Sequence, residues 1–164
     1  MSPATFYQYF PDVETAIFFI ADHIAEDGNR RLTELVQAID LDHEPIAGCE
    51  ALARGFIELW REYRSIFRVL DLGAAERDDR FQQRRTELLA GPTEALKAAI
   101  ATQQAGGGLR HQIDPAAFAA VLTAMLAHVA AHRPGLRDWG AADEDLVAAM
   151  GRIVAISLTD TIPG

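Results

Sequence analysis

The side chains best placed to do chemistry are aromatic. Phe56, Trp60, Tyr63, Phe67 and Phe81, with Leu88, recur at helical spacing through the middle of the chain, and Phe118 and Leu122 follow later. A stripe of this kind is either plain core or the wall of an apolar cavity. Ligand cavities are mostly apolar with a few polar groups that orient the guest, and Tyr63, Arg64 and His128 are the polar residues within reach. His128 and His132 stand at i,i+4, a spacing that can bring two imidazoles onto one metal. No carboxylate accompanies them in sequence, and His132 lies near a helix C-terminus where the dipole favours a cation, so neither a metal nor a cofactor is expected. Cys49 is the only cysteine, which excludes an internal disulfide and a cysteine zinc cluster; on an apolar helix face it reads as a buried, inert thiol. The chain has no nucleophile motif, no Gly-rich phosphate loop between strand and helix, and no catalytic carboxylate pair, and an enzyme is not expected.

A second chemistry sits at the N-terminus, in Thr5-Phe6-Tyr7-Gln8-Tyr9-Phe10-Pro11-Asp12. Thr5 and Tyr7 offer hydroxyls to phosphate oxygens, Phe6 and Phe10 make an apolar i,i+4 pair, and Pro11-Asp12 supplies a helix stop and a new N-cap.

The elements that must carry these residues are all helical, because apolar residues recur with a period near 3.6 and nowhere with the period of two of a half-buried strand. A long helix is expected from the Asp12 cap to about Ile39, with Val13, Ile17, Ile20, Ile24, Leu32, Leu35, Val36 and Ile39 on one stripe and Gly28 weakening its middle. Pro45 opens a second helix with Ile46, Cys49, Leu52, Phe56, Trp60 and Tyr63 on one face. A third, about Ser65 to Leu72, ends at Gly73. A fourth runs from about Asp78 to Gln104, with a kink or break expected at Gly91-Pro92. Gly106-Gly107-Gly108 is a loop, and Asp114-Pro115 caps a fifth helix that Arg133-Pro134-Gly135 should stop. The last spans about Asp143 to Leu158. The fifth and sixth helices carry wider apolar stripes than packing on one neighbour requires, which makes Val121, Met125, Val147, Met150, Val154 and Leu158 candidates for a dimer surface.

At 164 residues and 49% hydrophobic, the chain is long enough for one domain burying roughly 70% of its unfolded surface. No apolar run approaches the roughly 18 residues that span a bilayer, and no basic flank precedes an apolar stretch, so a soluble, cytoplasmic protein without membrane contact is expected. A net charge of -9 is the wrong sign for a surface that holds a polyanion. Positive charge is nearly all Arg, with Lys97 the single lysine, and Ala is abundant, the bias of a GC-rich bacterial genome.

The N-terminal run resembles the end of the recognition helix in the TetR family of bacterial transcriptional repressors, where a pattern T-[FL]-Y-x-[YH]-F-x-[DS]-[KR]-E leads into the helix joining two domains. Thr5, Phe6, Tyr7, Tyr9, Phe10 and Glu14 match it; Val13 replaces a basic residue that often touches phosphate. The resemblance implies an all-α fold, with residues 1–11 a remnant of a helix-turn-helix DNA-binding domain and residues 12–164 a ligand-binding and dimerisation domain. It implies DNA contacts from Thr5, Tyr7 and Tyr9. It also implies a homodimer and a pocket for a small apolar ligand. Operator binding would then need further N-terminal helices, roughly 30 to 45 residues ahead of Met1. The alternative is a DNA-inert helical dimer that carries a hydrophobic ligand or pairs with an intact repressor.

Overall fold

The computed structural model describes residues 12–75, 79–109 and 113–159, and among these there are six helices and no strand. We number them α1 (Val13–Gln37), α2 (Pro45–Glu62), α3 (Arg64–Ala75), α4 (Asp79–Ala105), α5 (Pro115–Asp138) and α6 (Asp143–Thr159). The motif residues Thr5, Tyr7 and Tyr9 lie outside the described residues.

Two starts follow directly from side-chain caps. The Asp12 carboxylate accepts from the Thr15 amide at 2.7 Å and the Asp114 carboxylate from the Ala117 amide at 2.8 Å, each satisfying one of the unpaired donors of a first turn. Pro45 and Pro115 stand at first helical positions, where a missing N–H costs nothing.

α2 is the centre of the fold. Cys49, Leu52, Ala53, Phe56, Ile57, Leu59 and Trp60 are all buried, more of the helix circumference than the single face expected, because α1, α3, α5 and α6 all pack on it. α1 lies along α4, and small residues let the two approach. A Cβ on Gly28 would meet Leu88 Cδ1 at 2.5 Å and Leu59 Cδ2 at 2.9 Å; one on Gly91 would meet the Asn29 and Thr33 side-chain oxygens at 2.3 and 2.4 Å. Gly28 is therefore a contact point rather than a weak link. At the other end of the pair, Phe18 and Phe81 lie 4.8 Å apart and the Arg84 guanidinium sits over Phe18 while pairing with Asp22.

Four expectations need correction. On α1, Ile20 faces solvent and Ala21 is buried in its place, since the helical repeat from Ile24 back runs through Ala21. α3 continues through Gly73 to Ala75, the propensity cost of one glycine being only about 1 kcal/mol. α4 is one helix across Gly91-Pro92, so the chain does not break there. Side chains occupy the carbonyls around that proline: Asn29 Nδ2 donates to the Glu87 carbonyl at 2.7 Å and Thr93 Oγ1 to the Leu89 carbonyl at 2.6 Å. Thr93 also reaches the buried Thr123 hydroxyl of α5 at 3.1 Å. Finally, α5 passes through Pro134 to Asp138, where Arg137 forms a two-pronged bond to Asp143 (2.9 and 2.7 Å) that holds the last turn against the start of α6.

α5 is also long and apolar enough to cross a membrane by length and composition, with a mean hydropathy of 1.5 over 18 residues. That departs from the sequence expectation, and alanine density is the reason. Core helices of helical bundles pass the same test, and α5 packs on α2 and α4 through Ala119, Leu122, Leu126, Ala127 and Ala130.

Candidate functional site

The aromatic residues of α2 and α3 form a stack. The Phe56 and Trp60 rings are 5.9 Å apart at 17°, and Trp60 and Phe67 are 4.4 Å apart at 13°. The stack forms because α3 starts one residue after α2 ends: Tyr63 caps α2, and its carbonyl accepts from the amides of Ile66 and Phe67 as the chain turns. Phe56 is sealed in the core, while Trp60 and Phe67 reach the floor of a cleft of about 330 Å³ between α2, α3 and α5. That volume is at the lower end of the range for small-molecule sites.

Polar groups converge on the cleft. Arg64, Arg68 and Asp71 enter from α3 and Arg133 from α5, with Leu72, Ala130, Ala131 and Pro134 completing the wall. Asp71 is bonded to Arg85 of α4. Arg133 is the most deeply placed, with 9% of its surface exposed. Its Nη1 donates to the Ile57 carbonyl at a long 3.4 Å, and its Nε lies 3.4 Å from Asp143 Oδ1 without making a hydrogen bond. Burial lowers its pKa, partly offset by Asp143, and Arg61, Arg137 and Arg64 add to the lowering.

The other expected pocket residues are dispersed. Leu88 and Leu122 are buried core. Tyr63 and Phe118 are half-buried against that core, and Phe81 is turned to Phe18 on α1. His128 lines a separate cleft of about 530 Å³ with Arg85, Leu89, Ala124, Met125, Ala127 and Val129. These residues share a stripe on their own helices without sharing a cavity. His128 and His132 stack at 4.0 Å, with His132 Nδ1 on the His128 carbonyl at 3.0 Å, and no cluster of three metal-ligating side chains occurs among the described residues. Sequence reasoning reached Trp60, Phe67 and Arg64 but missed Arg68, Asp71 and Arg133. Arg133 was legible only as the residue before a helix-stopping proline.

Of the residues expected at a dimer surface, Val147, Met150, Val154 and Leu158 are buried in the protomer's own core. Met125 is half-buried, and Val121 is exposed at 64%. On the outer side of α6, Ile153 and Ile156 are exposed at 47% and 38%.

A family model described as the tetracyclin repressor-like, C-terminal domain matches residues 43–164, from just before α2 to the end of the chain. The chain belongs to this family. Membership covers the cleft, α5 and α6, and makes this a TetR-like regulatory domain; domains of the family generally dimerise and bind small ligands. No curated protein and no solved structure matches the chain.

Proposed function

We propose that this TetR-like domain is the sensing and dimerising part of a ligand-responsive transcriptional repressor in the bacterial cytoplasm. The observation that carries the reading is the cleft in which Trp60 and Phe67 stack beside polar side chains, at the junction of α2, α3 and α5. A small, largely apolar molecule lies against the indole face there. The exposed apolar residues Val121, Ile153 and Ile156, with Met125, form the surface on which a second copy packs. Ligand binding shifts the dimer between two arrangements by favouring one, and roughly 1 to 3 kcal/mol of coupling gives a useful response. α1 transmits it, since α1 is clamped to α4 by Asp22–Arg84 and Asn29–Glu87 and continues from the segment carrying Thr5, Tyr7 and Tyr9. Those three residues touch operator phosphates only as part of a complete helix-turn-helix.

Two measurements test this. The neutral probe N-phenyl-1-naphthylamine should brighten on binding the protein and quench Trp60 fluorescence, and Trp60→Ala should abolish binding; undiminished binding by that variant would remove the cleft from consideration. The complete coding product should retard a fragment of its own promoter. The charge of -9 favours one other reading, a DNA-inert dimer that carries a hydrophobic ligand. A saturable ligand on a dimer that shifts no promoter fragment would select it.

A further inference from the structure

Resting on the reading of the cleft as the ligand site, we infer that its ligand is an anion: a compact aromatic carboxylate whose ring stacks on Trp60 and Phe67 and whose carboxylate is held by Arg133, Arg64 and Arg68. The chain is acidic as a whole, so cationic lining here runs against the general composition. Three guanidinium groups and one carboxylate line the cleft, and that carboxylate, Asp71, is already engaged by Arg85. Neither Arg64 nor Arg68 has an ion-pair partner among the described residues.

Arg133 adds the decisive point. A guanidinium taken out of water is costly unless paired and fully hydrogen-bonded. The protein offers it one long carbonyl contact and a share of Asp143, which also serves Arg137 at 2.7 Å and Arg61 at 3.6 Å. Three arginines thus divide one carboxylate. A ligand carboxylate entering beside the indole meets a planar donor fork whose geometry suits two parallel N–H···O bonds. The buried Ala130 beside Arg133 lowers the local dielectric and strengthens that contact.

The test compares 2-naphthoate with 2-naphthamide, alike in shape and different in charge, by calorimetry and by quenching of Trp60 in a Trp139→Phe background. Trp139 is 84% exposed, so its removal leaves one reporter, in the cleft. The acid should bind at least about tenfold more tightly than the amide, in line with a charge-assisted bond. Arg68→Gln and Arg64→Gln, both at solvent-exposed positions, should each weaken the acid and leave the amide unchanged, and Arg133→Met should do so most strongly if it folds. Equal affinities for acid and amide, with both quenching Trp60, would overturn the anion and leave the cleft. Absence of binding and quenching by either would overturn the cleft reading and the anion with it.

Discussion

A methyl group at position 151 would lie 2.9 Å from both the Cα and the amide nitrogen of Glu50, closer than folded backbones tolerate, so α6 crosses α2 at a point where only hydrogen fits. Intrinsic propensity favours alanine over glycine in a helix by about 1 kcal/mol, but neither helix backbone can give way at that crossing. Gly151→Ala should therefore destabilise the domain by about 1 to 3 kcal/mol in urea denaturation. Gly135 supplies the control: nothing lies within 4 Å of its would-be Cβ, and Gly135→Ala should stabilise by about 0.5 to 1 kcal/mol in the same assay. Cys49 shows what enclosure does to a titratable group. Burial alone pushes its thiol up to about 12, and the side chain has no exposed surface. It should resist iodoacetamide at pH 8 in the native protein and react at once in denaturant; rapid native labelling would show that α2 opens far more readily than its packing implies.

The join between α5 and α6 is electrostatic. Asp143, at the first residue of α6, has its carboxyl held below the usual range chiefly by its bond to Arg137, with Arg133 and Arg61 adding to it against some desolvation. A carboxyl depressed on folding contributes stability at pH values above its ordinary pKa and loses it as the pH falls through the depressed value. Asp143→Asn should thus lower the melting temperature at pH 7, with the gap to the unsubstituted protein closing in acid; a gap that persists unchanged would mean that the ion pairs contribute nothing. The same join explains what the sequence did and did not disclose. Helix starts at Asp12, Pro45 and Asp114 were readable because caps and first-turn prolines act within three or four residues, and that at Asp143 because acidic residues fill its first turn. Helix ends at Gly73 and Pro134 were misjudged because local breakers can be outweighed: one glycine costs only about 1 kcal/mol, and beyond Pro134 the Arg137–Asp143 pair holds the last turn. For the cleft, periodicity picked out Trp60 and Phe67 on their helices. It could not show that Phe81 turns to Phe18 or that Arg133 of α5 comes to rest beside Trp60 of α2, since both depend on how helices are paired.

At the level of the whole molecule, burial divides the apolar residues of α5 and α6 into those packed in the protomer's core and those exposed on its surface. Ile153→Glu places a charge on the outer face of α6 while sparing Val154 and Met150 behind it. If that face joins two copies, light scattering should report a dimer for the unsubstituted domain and a folded monomer for the variant, with unchanged helical circular dichroism; a variant that remains dimeric moves the interface elsewhere. The crossing of α2 by α6 also bears on how the protein is made. Glu50 and Gly151 touch in the finished fold but leave the ribosome about a hundred residues apart, on the order of 5 to 20 seconds at ordinary rates of synthesis. Throughout that interval the central helix of the fold is without one of its covers. A nascent chain that stalls before α6, or a transcript that stops short of it, presents the cell's quality-control machinery with an exposed α2 rather than with a smaller working domain.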